Sequence, residues 1–234
     1  MSNSFFHFKQ FTIKQDKCAM KVSTDACIFG AMLQPCAGAK NALDIGAGTG
    51  LLSLMLAQRN INLQIDAVEL IEDAYLQARQ NVAESKYASQ MDVHLADIKM
   101  YQPNITYDFI FSNPPFFEND LEAVNTDRNI ARHAKHLSLE ELMVQCKRLL
   151  SEVGEVAIII PSHRSVVLQN YAKENQLYLK SNCKIRHHSA KLFTKEVHVY
   201  SALPVQLYLQ EFTIKEMDGN YTAMMQALMK EFYL

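Results

Sequence analysis

The chain has 234 residues, of which 49% are hydrophobic and 21% are charged, and its net charge is −2. This composition is typical of a globular domain and excludes a disordered, collagen-like or coiled-coil chain. The nearly neutral charge argues against a protein that coats nucleic acid through bulk electrostatics, but it is compatible with a local basic face. The longest aliphatic run, Val156 to Ile160, is far shorter than the ~20 residues of a membrane span. The N-terminus lacks a secretory signal, so we expect a cytoplasmic protein with no membrane contact.

Cysteine usage predicts neither a disulfide framework nor a metal site. The chain has five cysteines, and no two of them form a C-x-x-C pair. His133 and His136 have i, i+3 spacing, but no carboxylate or cysteine beside them completes a zinc set. We therefore expect reduced cysteines that pack in the core, and no bound metal.

Residues 1–38 precede the regular part of the chain and are interpreted as an N-terminal cap. No internal repeat, low-complexity segment or domain boundary follows them, so the chain is predicted to be a single domain with its catalytic core at 39–234. The elements expected in the cap are strands at Phe5–Lys9 and Thr12–Lys14 and a helix at about Thr24–Leu33.

Residues 41 to 160 alternate short apolar segments with amphipathic ones, which is the pattern of a mostly parallel sheet with helices on both sides. The predicted strands are Asn41–Ile45, Leu63–Leu70, Asp92–Leu95, Tyr107–Ser112 and Val156–Ile160. The predicted helices are Leu51–Gln58, Ile71–Glu84 and Leu139–Leu150, the last after a capping box formed by Ser138 and Glu141. A helix near Arg164–Glu174 and two strand-like stretches, Leu177–Arg186 and Glu196–Ile214, then predict an antiparallel hairpin at the edge of the sheet.

The segment from Asp44 to Gly50 follows the first predicted core strand and opens the first core helix. Gly46, Gly48 and Gly50 permit positive φ angles and a close approach of a ligand, and N–H groups at the helix start can face a polar or anionic group. Leu51 stands where a dinucleotide-binding loop needs its last glycine, so NAD is not expected. A tight turn without a ligand is the alternative interpretation of this loop taken alone.

Two carboxylates follow at the ends of the next two predicted strands. Glu69 ends the second core strand and is placed for the two hydroxyls of a ribose. Asp97 follows the third, where a carboxylate can accept a hydrogen bond from an adenine amino group. Because open α/β sheets bind ligands at the carboxyl ends of their strands, these residues and the glycine loop outline a site for an adenosine moiety.

The fourth core strand runs directly into Asn113-Pro114-Pro115-Phe116. The two prolines remove two N–H donors and stiffen the turn. The amide oxygen of Asn113 and the carbonyl of Pro114 are then a rigid pair of acceptors for the hydrogens of one –NH₂ group, and Phe116 offers a flat face on which a base can stack. The pattern predicts a catalytic corner that recognises a planar amine, and a helix-capping loop is the alternative for an isolated match.

The D-x-G-x-G-x-G loop, Glu69 and Asp97 together resemble the class I S-adenosylmethionine-dependent methyltransferases over residues 41–160. The resemblance implies an α/β, Rossmann-like fold with a seven-stranded, mostly parallel sheet whose last two strands form a C-terminal antiparallel hairpin. It implies S-adenosylmethionine as the cofactor, bound by Asp44, Gly46, Gly48, Gly50, Glu69 and Asp97. The tetrapeptide from Asn113 to Phe116 is similar to the (D/N/S)-P-P-(Y/F/W) signature of enzymes that methylate adenine N6, guanine N2, cytosine N4 or glutamine amide nitrogens.

Three further segments resemble the bacterial tRNA adenine-N6 methyltransferases that modify position 37 of a valine tRNA. They are the lead-in from Phe8 to Ala31, the stretch Arg128-Asn-Ile-Ala-Arg132-His133, and the C-terminal Glu231-Phe-Tyr-Leu234. The resemblance implies methyl transfer to an adenine in the anticodon loop of a tRNA. It also implies that the lead-in closes over the cofactor, with Lys21, Thr24 and Asp25 near its methionine end, although Thr24 alone also fits a helix N-cap. We expect the protein to be a monomer.

Three other functions remain open from the sequence. Guanine-N2 methylation of rRNA and glutamine-amide methylation of a release factor use the same tetrapeptide, but the latter enzymes carry a helical domain before the glycine loop. Only 43 residues precede Asp44 here, which leaves little room for one. A cofactor-binding RNA module without turnover is the third, and the intact Asn113 and both prolines argue against it.

Basic residues concentrate in two segments, 128–136 and 180–198. The first holds Arg128, Arg132, His133, Lys135 and His136, and the second holds Lys180, Lys184, Arg186, Lys191 and Lys195 with three histidines. RNA phosphates can bind such segments. For the second segment, a solvated edge that resists aggregation is the alternative.

Overall fold

The structure is a computed structural model that describes residues 3–18, 20–114 and 137–233. Two members of the predicted catalytic tetrapeptide, Pro115 and Phe116, lie outside the described residues, as does the basic segment 128–136. The other residues proposed for the site, including Asn113 and Pro114, are described.

The described elements follow the predicted order closely. The strands are β1 (Phe5–His7), β2 (Thr12–Lys14), β3 (Asn41–Ile45), β4 (Gln64–Glu69), β5 (Met91–Leu95), β6 (Tyr107–Ser112), β7 (Leu150–Pro161), β8 (Tyr178–His188), β9 (Lys195–Ser201) and β10 (Tyr208–Lys215). The helices are α1 (Thr24–Met32), α2 (Leu51–Arg59), α3 (Glu72–Ala83), α4 (Leu139–Leu149), α5 (Ser165–Glu174) and α6 (Ala223–Met229). The capping box before α4 is present, with Ser138 and Glu141 bonded to each other's backbone N–H.

The main sheet has the strand order β10-β8-β9-β7-β6-β3-β4-β5. Strands β3 to β7 pair in parallel, and β9 is antiparallel to both of its neighbours, β7 and β8. The predicted α/β fold with a mostly parallel sheet and a C-terminal antiparallel hairpin is therefore confirmed.

The described sheet has eight strands, one more than the expected seven. The stretch expected as one strand from Glu196 to Ile214 is divided into β9 and β10 by residues 202–207, which contain Pro204. Proline cannot donate to a sheet ladder, so the strand ends there. Because β10 pairs in parallel with β8, the β8–β9 hairpin lies inside the sheet, and its expected position at the edge is wrong.

The helices cover both faces of the sheet. One face packs against α1, α2, α3 and α6, and the other packs against α4 and α5. Helix α6 was not predicted; Met225 and Met229 on it and Phe232 after it are fully buried. The backbone N–H of Lys9 donates to the carbonyl of Phe232 at 2.7 Å, so the two ends of the chain meet over the first face. None of the described helices is both long and apolar enough to cross a membrane.

Candidate active site

The predicted site residues that follow strands come together at one edge of the sheet, where the parallel strands end. Asp44 on β3 pairs with Phe111 on β6, and Gly46 and Asn113 each lie two residues beyond that pair. Neighbouring strands of a sheet are about 4.8 Å apart, so the glycine loop and the Asn113 corner are adjacent. On the other side of β3, Glu69 ends β4 and pairs with Leu95 at the end of β5.

The glycine loop provides open space beside the backbone. Gly46 and Gly48 have φ angles of 77° and 57°, and a Cβ atom added to either of them would meet no heavy atom of the described residues within 4 Å. Gly50 has a φ of 78°, and a Cβ there would contact Ala78 on α3 at 3.5 Å. All three positions are in the left-handed region that favours glycine. The first two glycines therefore leave room for a ligand, and the third is needed for its φ angle, since a Cβ there would make only an ordinary contact.

The N–H groups of the three glycines donate within the protein, so any donors toward a ligand are left to the start of helix α2. Gly46 donates to the carbonyl of Val68 at 2.9 Å, Gly48 donates to the carboxylate of Glu69 at 2.8 Å, and Gly50 donates to the carbonyl of Ala47 at 2.8 Å. The first two bonds tie the loop to the end of β4, and the third closes the loop on itself. The glycines thus contribute conformation and space rather than donors.

Asp44 is a buried carboxyl group with one oxygen unpartnered. Its Oδ2 accepts a hydrogen bond from the hydroxyl of Ser53 at 2.7 Å, while Oδ1 has no partner among the described residues. Burial raises the pKa of Asp44 to about 7, and the nearby charge of Glu69 acts in the same direction. An unpartnered buried oxygen beside an open glycine loop is suited to bind a donor or a cation from a ligand.

Replacing Asp44 by asparagine is expected to change how the stability of the free protein depends on pH. A carboxyl whose pKa is raised by folding stabilises the folded state fully below its ordinary pKa of 3.8, and this contribution is lost as the pH rises through about 7. The melting temperature of the Asp44→Asn protein should therefore rise relative to wild type between about pH 5 and about pH 8. A difference in melting temperature between the two proteins that stays constant over this pH range contradicts the raised pKa of Asp44.

Glu69 is held in place by two backbone donors. It is 7% exposed, and its two oxygens accept hydrogen bonds from the N–H groups of Gly48 at 2.8 Å and Ile71 at 2.9 Å. Each carboxylate oxygen has a second lone pair, so the group can still accept from a diol. The structure thus fixes the orientation of a carboxylate at the position proposed for ribose binding.

Asp97 lies two residues beyond β5 and is half-buried. Its Oδ1 accepts a hydrogen bond from the N–H of Lys99 at 2.9 Å, which holds the side chain in a local turn. The preceding residue, Ala96, donates its N–H to the carbonyl of Glu69 at 3.0 Å. This bond connects the loop that carries Asp97 to the end of β4.

Asn113 and Pro114 carry two acceptors that no described residue engages. The side chain of Asn113 is half-buried and makes no hydrogen bond to a described residue, and the carbonyl of Pro114 likewise accepts none. Directly before them, the hydroxyl of Ser112 donates to the carbonyl of Ile45 at 2.7 Å. This bond fixes the end of β6 against β3, so the two acceptors lie on a firmly held strand end.

The lead-in segment packs against α3 beside the site. The N–H groups of Lys14 and Lys17 donate to Asn81 and Gln77 at 2.9 Å and 3.1 Å, and Asn81 also donates to the carbonyl of Thr49 in the glycine loop at 2.9 Å. Sequence reasoning missed Gln77 and Asn81, because polar residues in an amphipathic helix usually face solvent. Both are fully buried.

Lys21, Thr24 and Asp25 follow that segment, and the structure gives them no hydrogen bond to the glycine loop or to Glu69 within the described ranges. The N-cap of α1 is Ser23, whose hydroxyl accepts from the N–H of Ala26 at 3.2 Å, so the capping interpretation of Thr24 is wrong by one residue. Lys21 and Thr24 are exposed, and Asp25 is half-buried. Their contact with a cofactor stays a prediction.

The family model that this chain matches and two of its curated relatives are all described as methyltransferases. The family model described as "Methyltransferase small domain" matches residues 26–167. A tRNA1(Val) (adenine(37)-N6)-methyltransferase from Cytophaga hutchinsonii is 39% identical over 100% of this chain and 99% of the relative. The protein of the same name from Pseudoalteromonas translucida is 37% identical over 99% of both chains.

Solved structures show the same fold at low sequence identity. A predicted O-methyltransferase from Agrobacterium tumefaciens aligns with a TM-score of 0.71 at 12% identity, covering 88% of this chain and 95% of that one. M. jannaschii TYW2, solved in complex with AdoMet, aligns with a TM-score of 0.55 at 15% identity, covering 84% of each chain.

Proposed function

The chain belongs to the family of tRNA1(Val) (adenine(37)-N6)-methyltransferases, and from this premise we propose that Asn113 and Pro114 hold the N6 amino group of an adenine of tRNA beside the glycine loop. The protein is an S-adenosylmethionine-dependent methyltransferase. The observation that carries the proposal is a pair of acceptors on a fixed strand end next to that loop, neither of which is engaged by a residue that the structure describes.

The residues at the strand ends fit S-adenosylmethionine. Open space beside Gly46 and Gly48 accommodates the ligand, the unpartnered oxygen of Asp44 can face a donor or a cation, and Glu69 and Asp97 offer acceptors. When bound, S-adenosylmethionine supplies an electrophilic methyl group on a sulfonium. We assign Glu69 to the ribose hydroxyls and Asp97 to the adenine amino group. Lys21, Thr24 and Asp25 are assigned to the methionine end.

The Asn113 corner orients the nucleophile. The Asn113 amide oxygen and the Pro114 carbonyl each accept one hydrogen of the –NH₂ group, which leaves the lone pair of the nitrogen directed at the methyl carbon. Proximity and alignment supply most of the acceleration. No base is required before transfer, because the nitrogen loses its proton after it has become cationic. Pro115 stiffens the corner and Phe116 stacks on the base, and both assignments remain predictions from the sequence.

A tRNA substrate bears on how the base reaches the site, on the oligomeric state and on the location of the protein. An adenine at position 37 lies in the anticodon loop, where a base is unstacked at lower cost than in a duplex. All the residues assigned to the reaction come from one chain, so a monomer is sufficient. A tRNA substrate also favours a cytoplasmic location.

Nucleoside analysis tests the reaction directly. The purified protein is incubated with labelled S-adenosylmethionine and a tRNA1(Val) transcript, and the product is digested and separated. We expect N6-methyladenosine, and no labelled product from a transcript that carries guanosine at position 37. Labelled N2-methylguanosine, or equal labelling of both transcripts, contradicts the proposed base and position.

A further inference from the structure

The last residues of β8, the turn after it and the first residue of β9 form a basic surface, which we call the basic hairpin and define as residues 184–195. It contains four of the 23 Lys and Arg of the chain and none of the 25 Asp and Glu. On the premise of the proposed function, we propose that the basic hairpin binds the phosphate backbone of the tRNA whose adenine enters the site. The charges are Lys184, Arg186, Lys191 and Lys195.

The strand registers place the basic hairpin at the catalytic edge of the sheet. Ser112, the residue before Asn113, pairs with Ile158 on β7, and Ile158 pairs with His198 on β9. Three residues earlier on β9, Lys195 pairs with Pro161 at the end of β7. Since β9 runs antiparallel to β7, the turn that precedes β9 extends past the strand ends at the same edge as Asn113 and the glycine loop. A nucleic acid bound at Asn113 would therefore lie next to the positive charges of the basic hairpin.

The sheet order excludes the alternative that these lysines guard an exposed edge. Charged residues on edge strands prevent pairing with other chains. Here β8 pairs with β10 on one side and with β9 on the other, and β9 in turn pairs with β7. Neither strand of the basic hairpin is an edge strand, so resistance to aggregation does not explain the charge.

A buried polar network holds the base of the hairpin rigidly. The carboxylate of Glu196 on β9 accepts hydrogen bonds from Ser165 on α5 at 2.7 Å and from Asn182 on β8 at 2.8 Å. His198 contacts the same carboxylate oxygen at 3.2 Å and the hydroxyl of Tyr200 at 3.0 Å. Burial alone raises the pKa of Glu196, but hydrogen bonds from Ser165 and Asn182 together with His198 lower it overall, so the carboxylate stays ionised.

Backbone bonds continue this support into the turn. The N–H of Ser162, just after β7, donates to the carbonyl of Thr194 at 3.1 Å, and the N–H of Thr194 donates to Ile185 at 2.9 Å. The guanidinium of Arg186 lies 4.8 Å from the centre of the Phe193 ring. Contacts of this kind limit the conformational entropy that the hairpin loses when it binds, which favours a docking surface over a flexible solvated loop.

The outer side of the hairpin is available to a partner. Lys184, His187 and Lys191 are exposed, and Leu192 at the tip is 86% exposed. Arg186 is partly neutralised by Glu211, whose carboxylate lies 3.4 Å away. A lysine ammonium acts as a point charge toward a phosphate and reads no base sequence, so this surface is suited to position the tRNA backbone rather than to read its bases.

A charge-reversal experiment tests the role of the hairpin. Lys184→Glu/Lys191→Glu is compared with Lys147→Glu/Lys173→Glu, which makes the same change in net charge. The control lysines are exposed and lie at the ends of α4 and α5, at the opposite edge of the sheet. We expect the first variant to raise the tRNA Kd by about 10-fold or more. The slope of log Kd against log salt should fall by the equivalent of about two phosphate contacts, and the control variant should leave both the Kd and this slope unchanged.

Two further readouts separate this role from a structural one. S-adenosylmethionine affinity and kcat at saturating tRNA should match wild type in both variants, and the single Lys191→Glu change in the turn should show a smaller effect in the same direction. Equal tRNA affinity and salt dependence in all variants and wild type overturns the inference, even when wild type methylates tRNA. Failure of wild type to bind or methylate tRNA instead contradicts the proposed function.

Discussion

Replacing Asn113 by alanine is expected to lower methyl transfer by about 10²-fold or more and to leave S-adenosylmethionine affinity unchanged. The substitution removes one of two acceptors that orient the amino group, and the remaining Pro114 carbonyl holds only one hydrogen of the –NH₂. Asn113 makes no hydrogen bond to a described residue, so its replacement removes no internal bond from that part of the chain. Single-turnover rates with saturating tRNA measure the effect, and calorimetry measures cofactor binding.

Asn170→Ala is a matched control for that substitution. Asn170 is exposed on α5, away from the glycine loop, and its replacement removes the same amide group. The control should retain the wild-type rate. Wild-type turnover in the Asn113→Ala protein contradicts the assignment of Asn113 to the amino group.

Replacing Glu69 by alanine is expected to weaken S-adenosylmethionine binding by about 10²-fold, since hydrogen bonds to a charged group contribute about 1.5–3 kcal/mol each. The loss has two origins. The carboxylate accepts from the ribose in the proposed complex, and in the free protein it fixes the N–H of Gly48 and the N–H of Ile71. Glu69→Gln keeps the shape of the side chain, and its affinity for S-adenosylmethionine should lie between those of wild type and the Glu69→Ala protein.

Glu72→Ala is the control for the charge. Glu72 is exposed in the first turn of α3, three residues from Glu69, and its removal changes the net charge of the protein equally. Titration calorimetry should give wild-type affinity for this control. Equal affinity of the Glu69→Ala protein and wild type removes Glu69 from the cofactor site.

The parts of the fold that were predicted well depend on local signals. The glycine loop, the strand before it, the helix after it and the capping box before α4 are each encoded within a few consecutive residues. The strand ends that carry Asp44, Glu69 and Asn113 follow from the alternation of strands and helices, because parallel strands bring their carboxyl ends to one edge.

The parts that were missed depend on contacts between distant residues. The pairing of β10 with β8 and the burial of α6 against α1 have no signature within either segment alone. The same holds for the network around Glu196, whose partners Asn182 and Ser165 are 14 and 31 residues away in the sequence. The acceptors of the Gly46 and Gly48 N–H groups, Val68 and Glu69, likewise lie on β4, outside the glycine loop itself.

A crystal structure of the protein with the demethylated cofactor and an anticodon stem-loop of tRNA1(Val) would test the assignment of the acceptors most directly. We expect adenine 37 to be turned out of the loop, with its N6 about 3 Å from both the Asn113 amide oxygen and the Pro114 carbonyl, and with its lone pair toward the sulfur. An adenine whose N6 is bonded elsewhere, with Asn113 facing away from the base, contradicts the account.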